Sequence, residues 1–202
     1  MAGLVAALVC TAVSHKAQAH HPVDPATLVA NGLPIPALTH GEMAVVSRHA
    51  AVIREMADDQ GRTDPTFRRL ANFAALQRTY CLWGLVPGSL ADEESPFNGC
   101  LHSYLAALRA LLVHMQDMPG AAQQAPLLVR QIDQEMVASE AAASLCQHSA
   151  EIFSTGHVII PDWRDVLRHP PSILALAGVA CAAAAAAVAA SAFGRTPRPP
   201  AA

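Results

Sequence analysis

Residues 172–193 read SILALAGVACAAAAAAVAASAF, 22 positions without a charge, an amide side chain or a proline. At 1.5 Å of rise per residue a helix of that length covers roughly 33 Å, about the hydrocarbon thickness of a bilayer. The stretch decides the architecture, because it divides the chain into one C-terminal transmembrane helix and a domain held at a membrane surface. Twelve of its residues are alanine, which inserts far less favourably than leucine. Gly178 and Ala182, four apart, give the span a small-residue face that a second helix can approach closely. Helix packing within the membrane, including a homodimer through the span, is therefore expected.

Immediately upstream, residues 161–169 (PDWRDVLRH) put Trp163, Val166 and Leu167 on one side of a short helix and charges on the other. Before a span, that pattern suits an interfacial helix with its indole at headgroup depth. Residues 157–171 thus read as a juxtamembrane linker carrying a short amphipathic helix, with Pro170-Pro171 separating it from the span. Residues 194–202 (GRTPRPPAA) form a short Pro/Arg tail.

Charge does not orient the span. Arg164 and Arg168 precede it and Arg195 and Arg198 follow it, so the positive-inside rule is silent. Orientation rests instead on the N-terminus, where 12 apolar residues (2–13, AGLVAALVCTAV) lead through SHK to Ala17-Gln18-Ala19. The small-x-small pattern reads as a signal peptide over residues 1–19, although nothing basic precedes the apolar run. Cleavage there leaves His20 as the new terminus and places the domain in the periplasm, anchored in a bacterial inner membrane. One lysine against twelve arginines, with abundant alanine and proline, fits a GC-rich bacterial genome. Without a functional signal, the alternative is a tail-anchored protein with a cytosolic domain.

Working inward, residues 20–38 hold four prolines and no periodicity, so they read as an extended Pro-rich arm. Residues 39–156 are patterned as helices throughout. Thr39-His40-Gly41-Glu42 is a capping box that opens a helix reaching about Asp59. Asp64-Pro65 supplies an N-cap and a first-turn proline for a second helix, with Phe67, Leu70, Phe73, Leu76 and Tyr80 as its apolar face. A long loop, residues 85–99, separates it from a third helix striped by Leu101, Leu105, Leu108, Leu112 and Met115. A fourth is expected from about Ala125 to Phe153, pointing Leu128, Ile132, Met136, Leu145 and Ile152 inward. The expected fold is all-α: an antiparallel four-helix bundle-like domain plus the C-terminal transmembrane helix, with no strand of useful length.

Between residues 20 and 171 there are ten arginines and sixteen acids, a net charge of −6. Phosphate backbones repel such a domain, so no nucleic-acid partner is expected. Catalytic templates are absent: no glycine-rich phosphate loop, C-x-x-C pair, haem-attachment motif, nucleophile elbow or Glu-x-x-His pair occurs. The expectation is a non-enzymatic protein without a cofactor, serving as an accessory, assembly or interaction subunit of a membrane complex.

The cysteines give the most specific expectations. Cys81 ends the second helix and Cys100 begins the third, so an antiparallel hairpin brings them level. In an oxidising compartment they form the favoured disulfide, closing an 18-residue loop and contributing about 3 kcal/mol. Cys146 is the third thiol of that end. An alternative function is a copper- or zinc-binding or thiol-redox accessory of the bacterial envelope, drawing on Cys81, Cys100, Cys146 and His148, or on His20 at the processed terminus. Cys100-x-His102 and Cys146-x-His148 supply suitable donor types. Residues two apart on a regular helix point roughly 200° away from each other, however, so each such pair offers only one ligand to a common ion. His114-Met115-x-x-Met118 adds soft donors, with Met115 better explained as core. Glu42 and His49 share a helix face, and Asp92-Glu93-Glu94 reads as a solvated loop run.

Overall fold

The computed structural model describes residues 32–193. The expected signal peptide, most of the Pro-rich arm with His20, and the C-terminal tail lie outside the described residues. Within them the chain is mostly helical, with one long apolar helix at its C-terminal end. In chain order the elements are β1 (Pro34–Ile35), α1 (His40–Asp58), α2 (Pro65–Tyr80), α3 (Asn98–Met115), α4 (Ala125–Ala138), β2 (Phe153–Ser154), α5 (Trp163–Val166) and α6 (Pro170–Phe193). Short 3-10 turns follow α2 (Leu82–Gly84) and α4 (Ala141–Ala143).

The helix starts follow their local chemistry. Thr39 caps α1 in a closed box: its Oγ1 accepts from the Glu42 N–H at 3.2 Å, and Glu42 Oε2 accepts from the Thr39 N–H at 2.7 Å. Asp64 caps α2 by accepting from the Phe67 N–H at 2.9 Å, with Pro65 in the first turn. The start of α3 has no side-chain cap. Its first residue, Asn98, donates to the Ser89 and Leu90 carbonyls, both at 2.9 Å, pinning the preceding loop over the helix.

Packing is centred on α3, which shares faces with α1, α2 and α4, while α1 also meets α4. Leu105, Leu108, Leu112 and Met115 are buried as expected, and Ala106 and Ala107 are buried on other faces. A helix apolar all round is one that neighbours cover on every side. A closed up-down ring would also need a broad α1–α2 face, and these two helices form none. On α2 the buried line runs through Phe67, Leu70, Phe73, Ala74 and Gln77, so Leu76 and Tyr80, expected in the stripe, are exposed. Gln77 displaces them because its amide clamps a later segment: it donates to the Ile159 carbonyl at 3.0 Å and accepts from the Ile159 N–H at 2.6 Å.

The fourth helix is shorter than expected. It stops at Ala138, and Leu145 and Ile152 face solvent instead of the core. The Ser139 hydroxyl donates back to the Glu135 carbonyl at 2.7 Å, and Glu140 turns left-handed at φ 51°. Residues 139–144 are serine, glutamate and alanine, without a large apolar side chain to hold another turn on the core, so local side-chain bonding wins over alanine's helix propensity. The chain then returns as loop and short strand. Phe153–Ser154 pairs antiparallel with Pro34–Ile35, in the register Pro34↔Ser154 and Ile35↔Phe153. This two-stranded pair was not expected, and it ties the end of the arm, through fully buried Ile35, to the far end of the domain.

Helix α6 is long and apolar enough to cross a membrane over Pro170–Ser191. Its two prolines do not separate it from α5 but occupy its own first turn, where proline fits without loss of a hydrogen bond.

Candidate functional site

The α1 N-terminus, the first turns of α3 and the loop after α4 meet at one point. Thr39 Oγ1 donates to the Ala141 carbonyl at 2.9 Å, and the Gly41 N–H donates to the Ser144 carbonyl at 3.2 Å. The fit is close: a Cβ on Gly41 would lie 2.3 Å from the Ala141 carbonyl oxygen. The loop so pressed against α1 delivers Cys146 beside His40 and His102. One donor atom from each of these three side chains lies within 4.8 Å of the other two. His102 Nδ1 is 3.9 Å from Cys146 Sγ.

Three imidazoles meet at this point, one pair tilted and the other edge to face. The His102 ring lies 5.4 Å from that of His40 and 5.3 Å from that of His148, centroid to centroid. His102 has no solvent exposure, and His148 is buried too. His148 Nδ1 is held 2.6 Å from Glu151 Oε2. Burial pushes the His102 pKa down to about 4, with the neighbouring His148 and His40 acting in the same direction. The Leu90 carbonyl favours the protonated ring, but no hydrogen bond of good geometry reaches His102 Nε2. His102 is thus neutral near pH 7, the form in which imidazole binds a metal.

Ser149 organises the sulfur. Its hydroxyl accepts from the Cys146 N–H at 2.7 Å and the His40 N–H at 3.2 Å, and donates to Cys146 Sγ at 3.5 Å. Ala150 follows with φ 63°, left-handed backbone that a non-glycine residue occupies at a cost. Chemically, the arrangement offers two imidazoles and a thiol to one small electrophile.

The expected cysteine set divides into two. Cys81 and Cys100 form a disulfide with Cα atoms 5.7 Å apart, at the centre of a second small core with Val86, Phe97 and Val166. His102, two residues further on, points the other way as helical periodicity demands, and meets Cys146 instead. The expectation that Cys81, Cys100 and Cys146 supply ligands together is therefore corrected: the first two are bonded to each other. Cys146 and His148 lie on an irregular loop, so the periodicity argument that kept them apart does not apply to them. The donors that do converge are those of His40, His102 and Cys146, with His148 alongside. The donors of the 114–118 stretch are occupied otherwise, since Met115 and Met118 are core and His114 Nε2 sits 2.7 Å from Asp64 Oδ2. Glu42 is engaged in its capping box. His49 Nε2 lies 3.0 Å from both carboxylate oxygens of Glu135, apart from Glu42.

The second core also receives the root of α6. Ala175 and Leu176 pack against it, and Ser172 is fully buried with its hydroxyl 2.7 Å from His169 Nδ1. His169 Nε2 lies 3.0 Å from Asp92 Oδ2, so one member of the acidic loop run holds the start of the apolar helix. Val166, expected to face a membrane, is instead 2% exposed in this core. A helix of one turn cannot both fill a core and present that face outward. Trp163 and Leu167 are exposed, with the indole edge-on to Phe97 at 6.4 Å. A side chain added at Gly178 would meet nothing within 4 Å, and Ala182 is exposed, so both present an open small-residue face.

No family model, curated protein or solved structure matches this chain. Sequence reasoning passed over His40, which reads as an interior residue of the capping box, and paired His102 with Cys100. The break at Ser139-Glu140 converts the Cys146-x-His148 stretch from helix to loop, and no glycine or proline marks it in the sequence.

Proposed function

We propose that this protein is a single-pass, membrane-anchored helical accessory subunit, acting by docking on other components of a membrane complex and not by catalysis of its own. The observation that carries the reading is the root of α6. Its first two turns are packed on the disulfide core through Ala175 and Leu176, with Ser172 buried, whereas residues 177–191 are exposed. An apolar helix gripped at one end and bare beyond it needs a nonpolar environment for the bare part. A fixed root also sets the domain's orientation relative to the bilayer, which suits presentation of one face to a partner.

The Cys81–Cys100 disulfide supports the periplasmic side of a bacterial inner membrane, because oxidising compartments are where such bonds persist. The open face around Gly178 and Ala182 favours a helical partner in the membrane, a second copy of the span included. An alkaline phosphatase fused to the domain tests the side: activity is expected, and an inactive but expressed fusion places the domain in the cytosol. Crosslinking in mild detergent tests the role. Recovery of a defined complex or a span-mediated dimer is expected, and a free monomer with no crosslinked partner overturns the accessory reading.

A further inference from the structure

We propose that His40, His102 and Cys146 form a binding site for one borderline-soft divalent transition metal, with Zn(II) as its probe. The proposal goes beyond the accessory reading and is independent of the membrane assignment. Three observations carry it together.

The first is convergence. The three donors come from separate segments, the start of α1, the first turns of α3 and the loop after α4, and lie within 4.8 Å of one another. In a tetrahedral zinc site with N and S ligands, donors stand about 3.3–3.6 Å apart, from metal–ligand bonds of about 2.0–2.3 Å. The His102–Cys146 separation of 3.9 Å is already close to that. The remaining contraction falls on a loop side chain and a helix-terminal side chain, which can rotate without moving the core.

The second is unmet hydrogen bonding. His40 Nδ1 is a buried nitrogen without a hydrogen-bond partner, and His102, which faces Cys146 Sγ through Nδ1, is fully buried. Buried polar atoms are nearly always satisfied, and each exception calls for a reason. Coordination at His40 supplies one, with His102 joining through the Nδ1 that already faces Cys146 Sγ.

The third is a prepared surround. Ser149 holds the Cys146 main chain and sulfur, and the Glu151 carboxylate orients His148 against the His102 ring. Hydrogen-bonded outer groups of this kind fix the tautomer and direction of a ligand set. Binding converts the Cys146 thiol to the thiolate and releases its proton to solvent, while both imidazoles bind neutral. Three protein donors leave a fourth position for water or an added ligand.

The test uses the full chain in detergent with its disulfide intact, stripped with chelator and titrated with Co(II) and then Zn(II). The expected result is one Co(II) per chain, with the near-ultraviolet thiolate charge-transfer band and tetrahedral visible bands, both lost when Zn(II) displaces it. Cys146→Ser should abolish the charge-transfer band, and Cys146→Ser and His102→Gln should each weaken affinity by roughly tenfold or more. Cys181→Ser, which removes the exposed thiol of α6, should change nothing. Circular dichroism of each variant establishes that it is folded. No stoichiometric binding by the folded wild type overturns the proposal. So does a band that survives Cys146→Ser or disappears with Cys181→Ser, and so does binding abolished by a His20→Ala, His21→Ala pair.

Discussion

At the residue scale, Gly41 fits tightly against Ala141. A methyl group there meets backbone atoms of residue 141 at 2.3 to 2.9 Å, and backbone cannot rotate away. Gly41→Ala is expected to lower stability by about 1–3 kcal/mol through overpacking, measured by urea unfolding. It should also push the 141–146 segment off α1 and weaken Co(II) binding at Cys146. A stable variant with unaltered binding would show that the loop is not seated as described. Glu135 offers a pH-dependent counterpart. Its carboxyl is held down at about 2, chiefly by hydrogen bonds from His49 and Gln131 and also by Arg48. A folded-state pKa below the ordinary 4.5 contributes stability above that value, and the contribution is lost as pH falls from about 4.5 to 2. Stability, followed by unfolding through that range, should therefore fall more steeply with decreasing pH for the wild type than for Glu135→Gln, and parallel curves would refute the linkage.

At the element scale, the disulfide core connects α2 and α3 to the root of α6. Replacing both Cys81 and Cys100 by alanine should cost about 3 kcal/mol. Hydrogen exchange should show the extra opening concentrated in residues 157–176, and uniform loss of protection across α1 to α4 would argue against this seat for the root. Helix starts were legible from the sequence wherever a side chain closes the first turn: the Thr39–Glu42 box and the Asp64 cap mark α1 and α2 at their observed positions. The Cys81–Cys100 pairing was legible because the ends of a helical hairpin lie level. The end of α4 was not, because alanines 141–143 favour helix locally and only missing tertiary anchorage, with left-handed Glu140, ends it. The cluster at His40, His102 and Cys146 was hidden for the same reason: it exists only once that loop has folded back. Val166 shows a further limit, since periodicity marks an apolar face without saying whether protein or lipid will cover it.

At the scale of the whole molecule, the free part of α6 is short. From residue 177 to the end of the helix at Phe193 it reaches roughly 25 Å, a few ångströms less than the hydrocarbon layer. On the membrane-anchored reading proposed above, the base of the domain is expected at headgroup depth, with exposed Trp163 and Leu167 beside it. In vesicles, a Trp83→Phe chain retaining Trp163 should show a blue-shifted emission quenched by shallowly brominated lipid. Emission like that of indole in water would mean that the domain stands clear of the surface.

The grip of Asp92 on His169 has a mechanical meaning. Residue 92 lies inside the covalent ring closed between Cys81 and Cys100, and the root of α6 rests on that same ring. A pull on α6 therefore enters the domain through this cross-linked strut as well as through residues 155–162, which Gln77 clamps at Ile159. The strut joins directly to α3, whose first turns carry His102. A pull on the anchor is thus delivered, within two residues of Cys100, to the place where three chain segments meet.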